Sequence, residues 1–249
     1  MKKLIGKLVL LAVLLLVGGV VLFMLSPAKM IRKGITSYGP KVTKTSIEVS
    51  EIDLSFFSGR GTIKGLKIGN PEGYRSESAV VIPVATIAIR PTTLFKGKLV
   101  IRSIEIESPQ ITYEAKLGGS NLAQIQENID EFVGKVNGLT GRSSEQKSTD
   151  KKPSGGKKIQ VDEIIIRNAK VKIALTLLGG KGANLSLPEI RLTNLGQGEG
   201  GVTGPEVLKA VWIAIVKATT EKLAGIAGGA VRVGGSILKG VGDILKRDK

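Results

Sequence analysis

The chain has no cysteine and no histidine. Disulfides, thiolate nucleophiles, zinc fingers and imidazole acid–base chemistry are therefore excluded together. Aromatic residues make up only 4% of the 249 positions, with a single Trp, so platforms on which nucleic-acid bases could stack are scarce. Acidic residues are the minority charge, 21 against 37 Lys and Arg, which leaves a formal +16. That excess either suits an anionic partner, such as phospholipid headgroups or an acidic polymer, or simply keeps the chain soluble. The glycine tracts near the C-terminus lack the Lys-Ser/Thr of a phosphate-binding loop. Acidic groupings on strands occur at Glu48, Glu51 and Asp53 and at Asp162 and Glu163, where alternation predicts solvent or a bulge and not convergence on a metal. The expectation is a non-enzyme with no cofactor and no metal site.

What the chain does have is a phrase written three times. It reads Ile63-Lys-Gly-Leu66-Lys-Ile68-Gly-Asn70-Pro71, then Ile101-Arg-Ser-Ile104-Glu-Ile106-Glu-Ser108-Pro109, then Val161-Asp-Glu-Ile164-Ile-Ile166-Arg-Asn168-Ala169. Internal repetition predicts one β unit stacked several times. The last two copies match further, pairing Leu99/Ile159, Ile111/Val171 and Tyr113/Ile173 at the same offset, and an echo precedes them at Ile47, Val49, Ile52 and Leu54. Within each copy the alternation slips: Ile101 and Ile104 can share a face only if Arg102-Ser103 holds an extra residue, a β-bulge, or if a short turn separates two small strands. Asp162-Glu163 and Ser50-Glu51 sit at matching places, and recurrent bulges would curl a sheet in one sense. Lys64, Lys67, Arg102, Glu105, Glu107, Lys170 and Lys172 fill alternate positions, which predicts one apolar and one wet face.

Leu8 to Leu25 is eighteen residues without a charge. As a helix it would be about 27 Å long, close to one hydrocarbon core. Lys2, Lys3 and Lys7 precede it, which predicts a retained signal anchor with the N-terminus in the cytoplasm and the main domain exported. The rival is a cleaved signal peptide, for which Phe23-Met24-Leu25-Ser26-Pro27 is a poor cleavage site. Export argues against a nucleic-acid partner. Lys29, Arg32 and Lys33 follow the span and either lie near headgroups or belong to a solvated linker.

Leu122, Ile125, Ile129, Val133 and Val136 recur at helical steps over 121–136, with Ser120 or Asn121 as cap. Residues 138–158 hold almost no apolar side chain and are expected to be a disordered insertion. Pro205 to Leu223 predicts a second helix, followed by a glycine-rich end that either lies on a membrane or closes the sheet. The expected organisation is an anchor at 1–26, a β domain at 27–200 interrupted by that insertion, and a helical glycine-rich segment at 201–249.

The span, the stretch Ser58-Gly-Arg-Gly61 through Asn70-Pro71-Glu-Gly73, Ile89-Arg-Pro91-Thr-Thr-Leu94, Ile104 through Pro109 to Glu114, and Gly119-Ser-Asn-Leu122 together resemble the N-terminal part of AsmA-like envelope proteins, over about residues 1–195. The resemblance implies a mainly β fold: a curled antiparallel sheet with an apolar groove, an N-terminal transmembrane helix, one internal helix and C-terminal helices. It implies anchoring by a single pass in the bacterial inner membrane, a periplasmic domain, and a role in phospholipid transport or outer-membrane assembly. Partners would be phospholipid or another acyl lipid, the inner membrane and envelope proteins. The groove lining would be Ile63, Leu66, Ile68, Ile101, Ile104, Ile106, Val161, Ile164 and Ile166, with Lys29, Arg32 and Lys33 at the membrane surface. About ten strands would stack to some 50 Å, short for crossing an envelope alone. Two other readings stay open: a closed structural β-sandwich without cargo, for which the same face is ordinary core, and membrane remodelling by the glycine-rich end.

Overall fold

The computed structural model describes residues 27–55, 58–116, 118–141, 157–175, 184–198 and 200–230. Eleven β segments form one sheet: β1 (Ile47–Glu48), β2 (Glu51–Ser55), β3 (Arg60–Gly69), β4 (Ser78–Ile89), β5 (Lys98–Glu107), β6 (Gln110–Lys116), β7 (Gly119–Ser120), β8 (Lys158–Arg167), β9 (Lys170–Leu175), β10 (Asn184–Ser186) and β11 (Ile190–Leu195). Three helices accompany them: α1 (Pro27–Thr43), α2 (Asn121–Gly141) and α3 (Gly204–Ala230). The register shows that several of these segments are halves of longer strands. Val84 faces Glu107 of β5 and Val81 faces Gln110 of β6 in one unbroken antiparallel register, so β5 and β6 are a single strand alongside β4. The same holds for β1–β2 along β3, for β8–β9 along β5–β6, and for β10–β11 along β8–β9.

The repeat of the sequence is this ladder. β5–β6 and β8–β9 run parallel, and each residue lies beside the one sixty positions later: Lys98 by Lys158, Ile106 by Ile166, Tyr113 by Ile173. Helix α2 lies in the connection between the copies, as a parallel pair requires. The antiparallel sheet that the resemblance implied is thus corrected to a mixed one. The third copy, at Ile63, runs in the same direction but out of phase, because Ile63 is level with Ile106 through Ala85 and not with Ile101.

A line of interruptions crosses the whole sheet at one level. Gly65 and Ser50 lie opposite each other, Pro83 faces Gly65 and Ser108, Asn168 is beside Ser108, and Pro188 faces Asn168. Pro83 has no N–H to give, so the ladder on the side it faces loses a bond there, and the pairings with β3 and with β5 both skip it. The flanking chains do so by turning left-handed: φ is 61° at Gly65, 51° at Ser108 and 55° at Asn168. Backbone bonds still cross the line, from Ser50 N to Lys64 O (3.1 Å), Ser108 N to Arg167 O, Lys170 N to Pro109 O and Leu187 N to Ala169 O (2.9 Å each). The consequence is a pleat that changes phase in all strands together. Core positions step by three across the line (Val49 to Ile52, Ile82 to Ala85, Ile166 to Ala169).

A second irregularity accounts for the slip at Ile101–Ile104. The β4–β5 register shifts between Ala88 and Ile89, leaving Arg102 as the extra residue of a bulge. Asp162 of β8 lies beside it and the pairing skips both residues, so Ile101 and Ser103 keep Val161 and Glu163 as neighbours. Among the described strand pairs the register shifts only at Ile68/Gly69 and Ala88/Ile89, so bulges do not recur from strand to strand to add up to a curl, and the expected curled sheet is corrected to an uncurled one.

Apolar rows run across the strands on one face, for example Ile47, Ile68, Val80, Ile111, Val171 and Leu185, then Ile52, Ile63, Ala85, Ile106, Ile166 and Ile190. The helices bury this face. Ser120 caps α2, its hydroxyl accepting from Ala123 N at 3.2 Å, and the predicted stripe Leu122, Ile125, Ile129 and Val133 is buried against the sheet. α2 runs on to Gly141, five residues beyond the predicted end and into the start of the expected insertion. Residues 142–156, the bulk of that insertion, lie outside the described residues. Thr203 and Glu206 form the first turn of α3, Thr203 N donating to Glu206 Oε2 at 2.7 Å, which holds that carboxyl below its usual range. From there Trp212, Ile215 and Leu223 reach the core, and Trp212 Nε1 donates to Leu122 O at 3.0 Å, tying α3 to α2.

No helix among the described residues is long and apolar enough to cross a membrane. The transmembrane segment expected at 1–26 and the glycine-rich end from 231 onward lie outside the described residues.

Candidate functional site

The nine residues predicted to line a groove do share one face, but they do not lie open along it. Val161, Ile164 and Ile166 are wholly buried, and Ile68, Ile101 and Ile106 nearly so. Val207 and Val211 of α3 close over Ile101, Val161 and Ile164. Ile63, Leu66 and Ile104 are half-buried. In this conformation most of the apolar face is filled by the protein's own side chains.

Coverage fails at one corner. The row Leu54, Gly61, Ile87, Ile104 and Ile164 crosses the sheet below the interruption line, and only Ile164 of these is sealed. Leu54, Ile87 and Ile104 stay half-buried, as do Ile89 and Leu99 nearer the end where β5 and β8 begin, called here the Lys98 end. α1 packs along β1 and β2 on one side and α3 on β11 on the other. The strip between them spans about three strand spacings, roughly 14 Å. Gly61 sits in it, and a Cβ there would stand 3.0 Å from Leu54 Cδ2. Leu54, Ile87, Ile89 and Leu99 were not among the predicted lining residues. Their signal was present in the sequence as strand apolars, but which of them share a level appears only from the register.

The predicted membrane-surface residues Lys29, Arg32 and Lys33 lie exposed in the first half of α1, beside Met30 (60% exposed) and Ile31 (42%). The direction of α1 follows from its contacts. Tyr38 packs edge-on against Phe132 at 6.1 Å, and Asn128 Nδ2 donates to Thr43 O at 2.8 Å, so α1 runs antiparallel to α2. α2 starts at the opposite, Asn70 end of the sheet, and Asn137 near its finish donates to Glu206 at 3.3 Å, close to the Val202–Ile159 bridge beside the start of β8. The first turns of α1 therefore point toward the Lys98 end. Lower on the same pair of helices, Glu131 accepts from Lys44 and Lys135 at 2.5 Å each, and these two cations hold its carboxyl down to about 2, Lys135 contributing most.

Most residues of the acidic groupings have a partner on the sheet. Lys64 pairs with Asp53 at 2.8 Å and Glu51 at 3.2 Å, Arg191 pairs with Glu163 and with Glu189 at 2.9 Å, and Gln160 donates to Asp162 at 2.7 Å. At the Asn70 end a buried polar knot explains the Asn70-Pro71 and Ser120-Asn121 motifs. The Glu114 carboxylate accepts from the Arg75 and Ser76 amides at 2.9 and 2.8 Å, while Asn121 donates to Asn70 Oδ1 at 2.8 Å and Thr112 O at 2.7 Å. Burial first, and the Glu114 charge second, push the neighbouring Tyr74 hydroxyl up to about 12. These bonds tie the β3–β4 loop to the start of α2, a structural task. An open cleft of about 430 Å³ between Leu187 and Lys222 lies at the far rim of the sheet, away from the half-covered strip.

The family model described as AsmA family matches residues 1–193. The matched stretch ends within β11, so α3, the helix that closes over Ile101 and Ile164, follows it. Among curated proteins none matches this sequence.

Proposed function

The chain belongs to the AsmA family, and we propose that it is a non-enzymatic protein of the bacterial envelope that handles acyl lipid on the apolar face of its sheet. Family membership supports the envelope setting. The observation that carries the lipid reading is the strip Leu54, Ile87, Ile89, Leu99 and Ile104, left half-covered between α1 and α3. Apolar surface of this kind gains about 0.8 kcal/mol for each methylene it takes out of water, so a tail lying along a 14 Å strip would be held by several kcal/mol. The strip continues under α3 into Ile101, Val161 and Ile164, and displacement of α3 would lengthen it. The apolar run at 8–25 would keep the strip beside the bilayer.

A photo-crosslinking amino acid in place of Ile87, in the full chain in native membranes, tests this reading. Phospholipid adducts at position 87, with none at the exposed Glu72 of the Asn70 end, are the expected result. Adducts at position 87 to α3 or to another protein alone, without lipid, would refute it. The second reading, a structural module without cargo, draws on the sealed part of the face, where Val161, Ile164 and Ile166 already have protein on all sides.

A further inference from the structure

The most exposed large apolar side chain among the described residues is Phe95, at 98%. It is not on a loose loop. A short helical turn, Pro91–Thr93, holds it out: Leu94 N donates to Pro91 O at 3.0 Å, Lys96 N to Thr93 O at 3.1 Å, and the Thr93 hydroxyl donates to Arg90 O at 2.7 Å while accepting from Val100 N at 3.0 Å. Lys157 Nζ donates to Leu94 O from just before β8. At the same end of the sheet lie Arg60, Arg90, Lys96, Lys98, Lys157 and Lys158, none of them in an ion pair among the described residues, although the charge of Lys158 acts on the Glu206 carboxylate. Lys98 and Lys158 are direct neighbours in the parallel ladder, and like charges side by side cost stability unless an anion lies between or above them. An aromatic held in water at an end of the sheet rich in cations fits a surface with negative headgroups over hydrocarbon.

The position of this tip selects the surface. It lies at the Lys98 end, the end toward which α1 points with Lys29, Arg32 and Lys33, and in the sequence the apolar run 8–25 stops immediately before α1. We propose that the Lys98 end docks on an anionic phospholipid bilayer, with Phe95 entering the headgroup layer and the cations around it binding lipid phosphates. This contact is independent of the acyl-lipid reading, because docking needs no cargo.

The absence of native cysteine makes the test direct. Gly97 has open space around it and an ordinary φ, so Gly97→Cys carries an environment-sensitive fluorophore next to Phe95 while leaving Phe95 in place. Glu72→Cys carries the same label at the Asn70 end. With the full chain in vesicles containing phosphatidylglycerol, the label at 97 should shift to the blue and be quenched by shallow spin-labelled lipid, and the label at 72 should not. Phe95→Ser should reduce the quenched fraction, and Lys96→Glu with Lys98→Glu should lower the ratio of docked to free tips about fivefold per cation removed. A water-like, unquenched label at 97 would overturn the proposal. So would equal quenching in vesicles of phosphatidylcholine alone, or a label already shielded in detergent in proportion to protein concentration, which would identify a second copy as the occupant.

Discussion

Gly65→Ala probes the interruption line at its most constrained point. Gly65 has φ +61°, a region that costs an L-residue about 1–2 kcal/mol. An added Cβ would also stand 2.3 Å from Ser50 Oγ and 2.9 Å from Ser50 Cβ. Rotation of the hydroxyl relieves the first contact but not the second, so β2 must move, and overpacking of that kind costs a further 1–3 kcal/mol or so. The sum expected for Gly65→Ala is about 2–5 kcal/mol. Ser50→Gly alone should cost only about 0.5–1 kcal/mol, as glycine does in a strand. On the Ser50→Gly background the clash is gone, and Gly65→Ala should fall to the backbone cost of about 1–2 kcal/mol. The assay is denaturant unfolding of the full chain in mild detergent, followed by the fluorescence of Trp212, the single tryptophan and 2% exposed. A Gly65→Ala loss below about 0.5 kcal/mol, or no recovery on the Ser50→Gly background, would refute the claim that a left-handed residue facing Ser50 sets the phase of the pleat.

Two further expectations use the same protein. Ile164→Ala, at a fully buried site, should cost about 2–4 kcal/mol, and Ile87→Ala, in the half-covered strip, about 1 kcal/mol; equal losses in the same unfolding assay would mean that the strip is ordinary core. The Glu131 carboxyl, depressed from 4.5 to about 2, contributes its full stabilisation above about pH 4.5 and loses it as the pH falls through 2. An NMR titration should place its midpoint near 2 and move it upward in Lys135→Met, whereas a midpoint near 4.5 in the parent chain would show that the two lysines do not hold it.

Much of the fold was legible because the ladder is written in the chain. The offset that matched Ile101 with Val161 and Ile106 with Ile166 is the register of two adjacent strands, and the slip at Arg102 is a bulge. The helical stripe from Leu122 to Val133 and the one through Trp212 and Ile215 were equally visible, since burial on one side of a helix leaves a period that no other arrangement produces. The direction of pairing was not visible. A repeat is the same whether its copies lie parallel or antiparallel, and the decision rests on where α2 carries the chain. The echo at Ile52 and Leu54 was matched to the wrong level for a related reason: Ser50 lies on the line of Pro83 and Ser108, not on the line of Arg102, and one interrupted alternation resembles another.

The candidate site shows the same division. That Ile63, Ile104 and Ile164 are apolar and face one way follows from the sequence, because strand alternation and the phase slips are local properties of the backbone. Whether such a residue is sealed or half-open depends on what lies above it, and the side chains above it come from helices far along the chain: Val207 and Val211 pack on the cluster of Ile101, Val161 and Ile164, while Ile87 at its margin stays half-buried. The sequence by itself determined the unit, its period, its wet and apolar faces and the charge of the whole. Only the tertiary structure decided which part of the apolar face is core, which corner is left open, and that Phe95, the cations around it and the first turns of α1 meet at one end, since those are distances between segments that no local pattern encodes.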